Sequence, residues 1–236
     1  MRASNRKNNQ LRDIEFITGF NPYAEGSCLV KYGNTHVICT ASVEPSVPSW
    51  LKGQDRGWIT AEYAMLPRST QTRVPRETKK PSGRSQEIQR LIGRSLRAGV
   101  DLTKMKDISI CIDCDVIQAD GGTRVASVSG GFVALYLAIR KLLKEDVLTE
   151  NPIREFVAAV SCDICQGEPV LDVDYEEDSS SQVDMNFILT EGGKIVEIQG
   201  TAEGEPFTEE EFNKLLSLGK QGVAQIIAKQ KEALRC

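Results

Sequence analysis

The chain has 236 residues, 26% of them charged, and a formal net charge of −4, the composition of a folded soluble chain rather than a disordered or fibrous one. That length suffices for one large domain or two fused units with a real core. The acidic average does not point to a nucleic-acid binder, no run of about 18 apolar residues suggests a membrane span, and MRASNRKNNQLRD lacks the apolar block of a signal peptide, so the expectation is a cytoplasmic protein.

In chain order, EFITGF (15–20), CLVKYG (28–33) and THVICTASV (35–43) read as a β-meander with a turn at YGNT. His36 falls inside the third strand and reads as structural. GWITAEYAML (57–66) is a further strand, and Trp50 and Trp58 read as packing residues. The polar, basic stretch STQTRVPRETKKPSG (69–83), with two prolines, predicts a long mobile loop. A helix follows at 84–100: Ile88, Leu91, Ile92 and Leu96 share one side, while Arg90, Arg94 and Arg97 fall within a sector roughly 60° wide on the other. Those arginines form either a solvated face or a ridge turned to phosphate or to another subunit. A strand at 107–117, a Gly-Gly loop and a helix to about residue 144 come next. Strands at 155–165, 169–175, 182–190 and 194–200 precede a last helix that opens with Thr208 and Glu211 in capping-box spacing. This order predicts an α/β (α+β) chain with a duplicated β/α architecture, a single domain over 1–236 with halves of about 1–105 and 106–236.

Charge is unevenly placed. Between Arg68 and Arg97 lie nine Lys or Arg (Arg68, Arg73, Arg76, Lys79, Lys80, Arg84, Arg90, Arg94, Arg97) against Glu77 and Glu87, a local excess of seven positive charges. A basic surface of this kind is what polyanion binding requires. Arg84 sits at a helix start, where free N–H groups and the helix dipole favour an anion. QADGGTRVAS (118–127) offers a second such place. Gly121 and Gly122 let the backbone approach a ligand and form a nest of N–H groups, Thr123 adds a hydroxyl, and Arg124 adds a planar fork suited to phosphate oxygens. It is not a P-loop.

Carboxylates gather in LDVDYEEDSSSQVDMNFIL (171–189). Asp172 and Asp174 alternate with apolar residues and read as the polar side of a strand. Asp178 and Asp184 flank a Ser/Gln turn, and a hairpin could bring them together to hold Mg²⁺ or to supply a general acid. Seven cysteines argue against a disulfide framework. The C-x-x-C pairs Cys111–Cys114 and Cys162–Cys165 lie in strand-like runs, where residues three apart point to opposite faces, so no zinc site is expected. With one histidine there is no evident His-based triad, and acid–base work falls to carboxylates.

The segments AEGSCLV, CTASVE, WLKGQDRGWITAEYAMLPRST, EIQRLIGRSLRA, CDVIQADGGTRVAS, DMN and EIQGTAEGEPF resemble the bacterial ribonuclease PH family almost from end to end. The resemblance implies a β/α domain assembled into a homohexameric ring, a trimer of dimers. It implies a phosphate-dependent 3′→5′ exoribonuclease that trims tRNA precursors, releases nucleoside diphosphates and runs backwards as a nucleotidyltransferase. By that resemblance Arg84, Gly122, Thr123 and Arg124 bind inorganic phosphate, Asp178 and Asp184 are catalytic with Mg²⁺ or another divalent cation near them, and Arg68, Arg73 and Arg76 serve RNA engagement and ring assembly. Arg90, Arg94 and Arg97 are assigned to the same surface. Two other readings stay open: an RNA-binding ring subunit without catalysis, and a metal module built on the C-x-x-C pairs.

Overall fold

The computed structural model describes residues 2, 5–78 and 80–236, so Lys79 of the basic segment lies outside the described residues. The strands of the first half are β1 (Ile14–Thr18), β2 (Gly26–Tyr32), β3 (Thr35–Glu44) and β4 (Trp58–Met65). Helix α1 (Gly83–Ala98), β5 (Ser109–Gln118) and helix α2 (Thr123–Lys144) follow. The remainder runs β6 (Val157–Cys165), β7 (Glu168–Leu171), α3 (Tyr175–Asp178), β8 (Val183–Thr190), β9 (Ile195–Ala202) and α4 (Glu209–Leu234).

Two sheets form, ordered β1-β2-β3-β5-β4 and β7-β6-β8-β9. All pairings are antiparallel except β4 with β5, which α1 connects as a parallel crossover. The inward residues of β3 (Val37, Cys39, Ala41) lie opposite Val116, Cys114 and Ile112 of β5; all six are buried. That shared apolar face draws β5 into the first sheet, so a division near residue 105 does not coincide with a sheet boundary. The cysteine pairs lie on β5 and β6, with Cys114 and Cys162 buried and Cys111 and Cys165 half-buried, as opposite strand faces require.

Helix α2 packs against β2 and β3 of one sheet and β6 of the other. By length and composition alone α2 is apolar enough to cross a membrane, a test that a buried core helix meets equally well. Most of its apolar stretch is buried inside the fold. Scattered Ser and Gly residues hide this in the sequence; the helix is apolar all round because two sheets enclose it. It also repairs an open edge. β7 pairs only with Cys162–Cys165 of β6, so earlier β6 backbone groups need other partners. Ala159 N donates to Ser129 Oγ at 3.0 Å, and Gln230 of α4 donates to the Val157 carbonyl at 3.1 Å. The Thr208–Glu211 capping box at the start of α4 forms as its spacing predicts.

The strand expected over 169–175 stops at Leu171. Asp172 turns into the left-handed region at φ +55°, and its side chain is buried against Arg12. Asp174 caps α3, accepting from Glu177 N at 3.1 Å. The alternation of 171–175 therefore reflects one buried ion pair and one helix cap rather than a strand face.

Candidate active site

The Gly121–Gly122 turn is shaped by close approach. Both glycines have positive φ, +73° and +68°, and a Cβ on Gly121 would lie 2.7 Å from the carbonyl carbon of Asp174. A side chain there would push the 173–175 backbone off the turn. Helix α2 begins directly after Gly122, so Thr123 and Arg124 belong to its first turn. Their N–H groups have no intrahelical acceptors.

Buried charge holds this turn. Arg12 donates to the carbonyl of Asp120 at 2.6 Å and reaches Asp172 through two side-chain bonds, at 2.8 and 3.2 Å. The backbone N–H of Arg12 adds a third bond to Asp172 at 2.7 Å. Thr35 Oγ1 donates to the Gly121 carbonyl at 2.6 Å. One step further on, Arg2 grips Glu177 through Nε and Nη2 at 2.7 and 2.6 Å. Burial pushes the Glu177 carboxyl up, but the bonds and charge of Arg2 outweigh it and hold that carboxyl below its usual range. The amino-terminal segment thus straps down the loop that carries Asp178.

Arg84, Gly122, Thr123, Arg124, Asp178 and Asp184 all line one cavity of about 290 Å³. Arg84 enters from the first turn of α1, behind the Ser82 cap. Arg124 is braced by Gln199 of β9 at 2.7 Å and lies 3.5 Å from Glu87 of α1. Gln199 in turn donates to Glu87 at 3.0 Å. Thr123 Oγ1 lies 2.9 Å from the hydroxyl of Tyr63.

Opposite stand the carboxylates. Asp184 is on β8 and Asp178 ends α3, so a helical turn rather than a hairpin brings them together. A third acid joins them. Asp163 of β6 is the cross-strand partner of Asp184, and one carboxylate oxygen from each of Asp163, Asp178 and Asp184 lies within 4.8 Å of the others. Asp163 is 0% exposed, and neither of its oxygens has a hydrogen-bond partner among the described residues. Burial first, then the charges of Asp184 and Asp178, push it up to about 9. Burial also raises Asp178 and Asp184, while Arg84 and Arg124 pull both back. Asn186 donates to Asp184 at 3.2 Å.

The other expected residues lie apart from the cavity lining. Arg68, Arg73 and Arg76 are exposed on the loop between β4 and α1. Arg94 pairs with Glu197 of β9 at 2.6 Å, and Arg97 lies 4.3 Å over the Trp58 ring, with Arg90 exposed on the same helix. Trp50 packs edge-on against Trp58 at 4.9 Å but stays 58% exposed. His36 contacts the Gly33 carbonyl at 3.2 Å. Sequence reasoning missed Asp163, Ser161, Asn186 and Arg12. A lone carboxylate inside the apolar strand VAAVSCDIC was the available signal for Asp163; Arg12 carried no local signal.

Two sheets sharing a buried central helix, with an anion cradle facing a carboxylate cluster across one cavity, define an enzyme of phosphorus chemistry. The chain belongs to the 3′ exoribonuclease family: residues 10–140 match its domain 1 and residues 155–222 its domain 2. It is 56% identical over 236 residues to ribonuclease PH of Methylobacterium nodulans, covering 99% of this chain and 100% of the relative. Ribonuclease PH of Neisseria meningitidis is 54% identical over 231 residues, covering 97% and 96%. An Archaeoglobus fulgidus exosome structure with RNA bound to the active site shares the fold, with a TM-score of 0.81 and 24% identity over 97% of this chain and 92% of that one. The chain is a phosphorolytic 3′→5′ exoribonuclease that uses inorganic phosphate as a substrate.

Proposed function

We propose that the chain trims the 3′ ends of tRNA precursors, with Arg84, Arg124, Thr123 and the N–H groups after Gly122 holding the attacking phosphate. The observation that carries this reading is the meeting of Arg84, Arg124 and the α2 N-terminus with Asp178 and Asp184 in one cavity. Phosphate and the RNA phosphodiester repel each other, and fixed cations in a water-poor site offset that repulsion. An oxygen of phosphate attacks the phosphorus of the last linkage, and the bond from that phosphorus to the 3′ oxygen of the preceding nucleotide breaks. Asp184, raised by burial, carries the proton that the departing 3′ oxygen takes up. The products are a nucleoside diphosphate and an RNA shortened by one, and the same groups serve the reverse addition.

The carboxylates also fit a divalent cation. Three of them converge, and the buried oxygens of Asp163 make no hydrogen bond of ordinary geometry among the described residues; oxygen-only donors of this kind suit Mg²⁺. Asp178 would hold it beside Asp184, and when bound it would offset charge on the phosphate groups. Arg68, Arg73 and Arg76, exposed on their loop, and Arg90, Arg94 and Arg97 on α1 would guide RNA or meet neighbouring subunits in a homohexameric ring within the cytoplasm. A purely RNA-binding subunit is disfavoured, because it has no use for buried carboxylates at an anion cradle.

A 3′-extended tRNA incubated with and without phosphate tests the chemistry. Nucleoside diphosphates formed only with phosphate are expected; monophosphates formed without it would make the enzyme a hydrolase. Native mass spectrometry tests the ring.

A further inference from the structure

One wall of the cavity has no task in that scheme. Ser161 lies on β6, is 3% exposed, and lines the cavity with Gly122, Thr123 and Arg124. Its Oγ has no hydrogen-bond partner among the described residues, and a Cβ built on Gly122 would lie 4.0 Å from it. Buried hydroxyls almost always find a partner. Other polar groups in the same cavity have theirs: Thr70 donates to the Thr72 carbonyl, Thr123 meets Tyr63, and Asn186 donates to Asp184. The backbone of Ser161 is also committed, its carbonyl accepting from Asp172 N at 2.8 Å. A hydroxyl held rigidly on a central strand, under the first turn of a helix and without an internal acceptor, is placed to donate to something that enters.

We propose that Ser161 is a phosphate-binding residue: its hydroxyl donates to one oxygen of the inorganic phosphate seated at the start of α2. The inference rests on the phosphate site assigned above and deepens it. Helix N–H groups and Arg124 approach the ion from α2, and Ser161 approaches it from β6. Donors on two elements restrict rotation of a tetrahedral ion in a way that a single helix end does not. In the reverse reaction the same hydroxyl meets the terminal phosphate of the nucleoside diphosphate.

The test measures initial rates against phosphate concentration for the parent enzyme, Ser161→Ala, Ser161→Thr and Arg124→Ala. Ser161→Ala should raise the phosphate KM by roughly tenfold or more, the scale of one hydrogen bond to a charged group. The loss should appear in KM rather than kcat, leave the RNA KM unmoved, and recur in the KM for nucleoside diphosphate. Ser161→Thr, which keeps the hydroxyl, should recover part of it. If Ser161→Ala is unstable, Ser161→Cys serves instead, with a smaller rise in melting temperature on adding phosphate than the parent shows. An unchanged phosphate KM in the Ser161 variants beside a raised one in Arg124→Ala overturns the role of Ser161 alone. Unchanged values in both overturn the phosphate site itself. A fall confined to kcat, or an equal rise in the RNA KM, also overturns the proposal.

Discussion

The two walls of the cavity are built on opposite terms. Arg84 and Arg124 reach in from the first turns of α1 and α2, with Arg84 exposed and Arg124 resting on Gln199 and Glu87. Asp163, Asp178 and Asp184 face them from β6, α3 and β8, drawn together and partly or wholly removed from water. Guanidinium groups at helix starts sit at the positive end of the dipole, which does not favour them, so solvent serves Arg84 and the Gln199 and Glu87 side chains serve Arg124. Three converging carboxylates repel one another, so their loop is tied down from outside by Arg2 on Glu177 and Arg12 on Asp172. Arg124 rests on partners no more than 75 positions away, whereas the acidic wall and the 120–122 turn depend on residues more than a hundred positions away.

Several substitutions would break or sharpen that contrast. The largest effect is expected for Asp184→Asn, which removes the proposed proton donor and should lower kcat by roughly 10²–10⁴-fold. Single-turnover rates at saturating phosphate decide it, and a loss below tenfold would remove Asp184 from that role. Arg12→Ala leaves the buried Asp172 carboxylate with the longer 3.7 Å contact to Arg6 as its ion pair among the described residues, which costs up to about 3–5 kcal/mol of stability. Urea unfolding should show a large fall in midpoint, with the 120–122 turn losing its order.

Arg124→Ala acts on the cationic wall and should raise the phosphate KM roughly 10- to 100-fold, at about 1.5–3 kcal/mol for a charged contact. Its melting temperature should barely change, and a variant that is mainly unstable would contradict the contrast between the walls. Asp163→Asn should be milder and depend on pH. The carboxyl of Asp163 is raised to about 9 in the fold, above the value of about 3.9 for a free aspartate. Between those values the native state binds more protons than the unfolded chain, so stability falls as pH rises through that window. In metal-free buffer the variant should match the parent near the lower limit and melt a few degrees higher as pH approaches the upper one. A difference independent of pH would show that Asp163 is not ionising at a cost. Smallest of all, neutralising Arg68, Arg73 and Arg76 together should reduce the log–log salt slope of RNA binding by up to about 2, at about 0.7 per phosphate contact.

Much of the cationic wall was legible in the sequence. Its parts are contiguous: a Gly-Gly turn, a hydroxyl and an arginine where strand periodicity gives way to helix periodicity, and Arg84 behind a Ser cap. Asp178 and Asp184 were legible as a pair, six positions apart, although a helical turn and not a hairpin joins them. Asp172 misled, because a period of two in so short a run cannot distinguish a strand face from a buried ion pair followed by a cap. The full burial of α2 was not legible either: Ser127 and Ser129 look polar in a list of letters, yet each hydroxyl is spent inside the fold, on the Thr123 carbonyl and on Ala159.

By itself the sequence determined most of the strands and the three long helices, and that two of those helix starts suit an anion. These follow from backbone sterics and side-chain periodicity within a dozen residues. Only the tertiary structure decided that Arg84 and Arg124 share a cavity, that Asp163 joins two other acids, that Ser161 lies unpartnered beneath α2, and that Arg12 holds the turn. Burial and electrostatic pairing depend on what packs over a residue from elsewhere in the chain, and no local pattern carries that information.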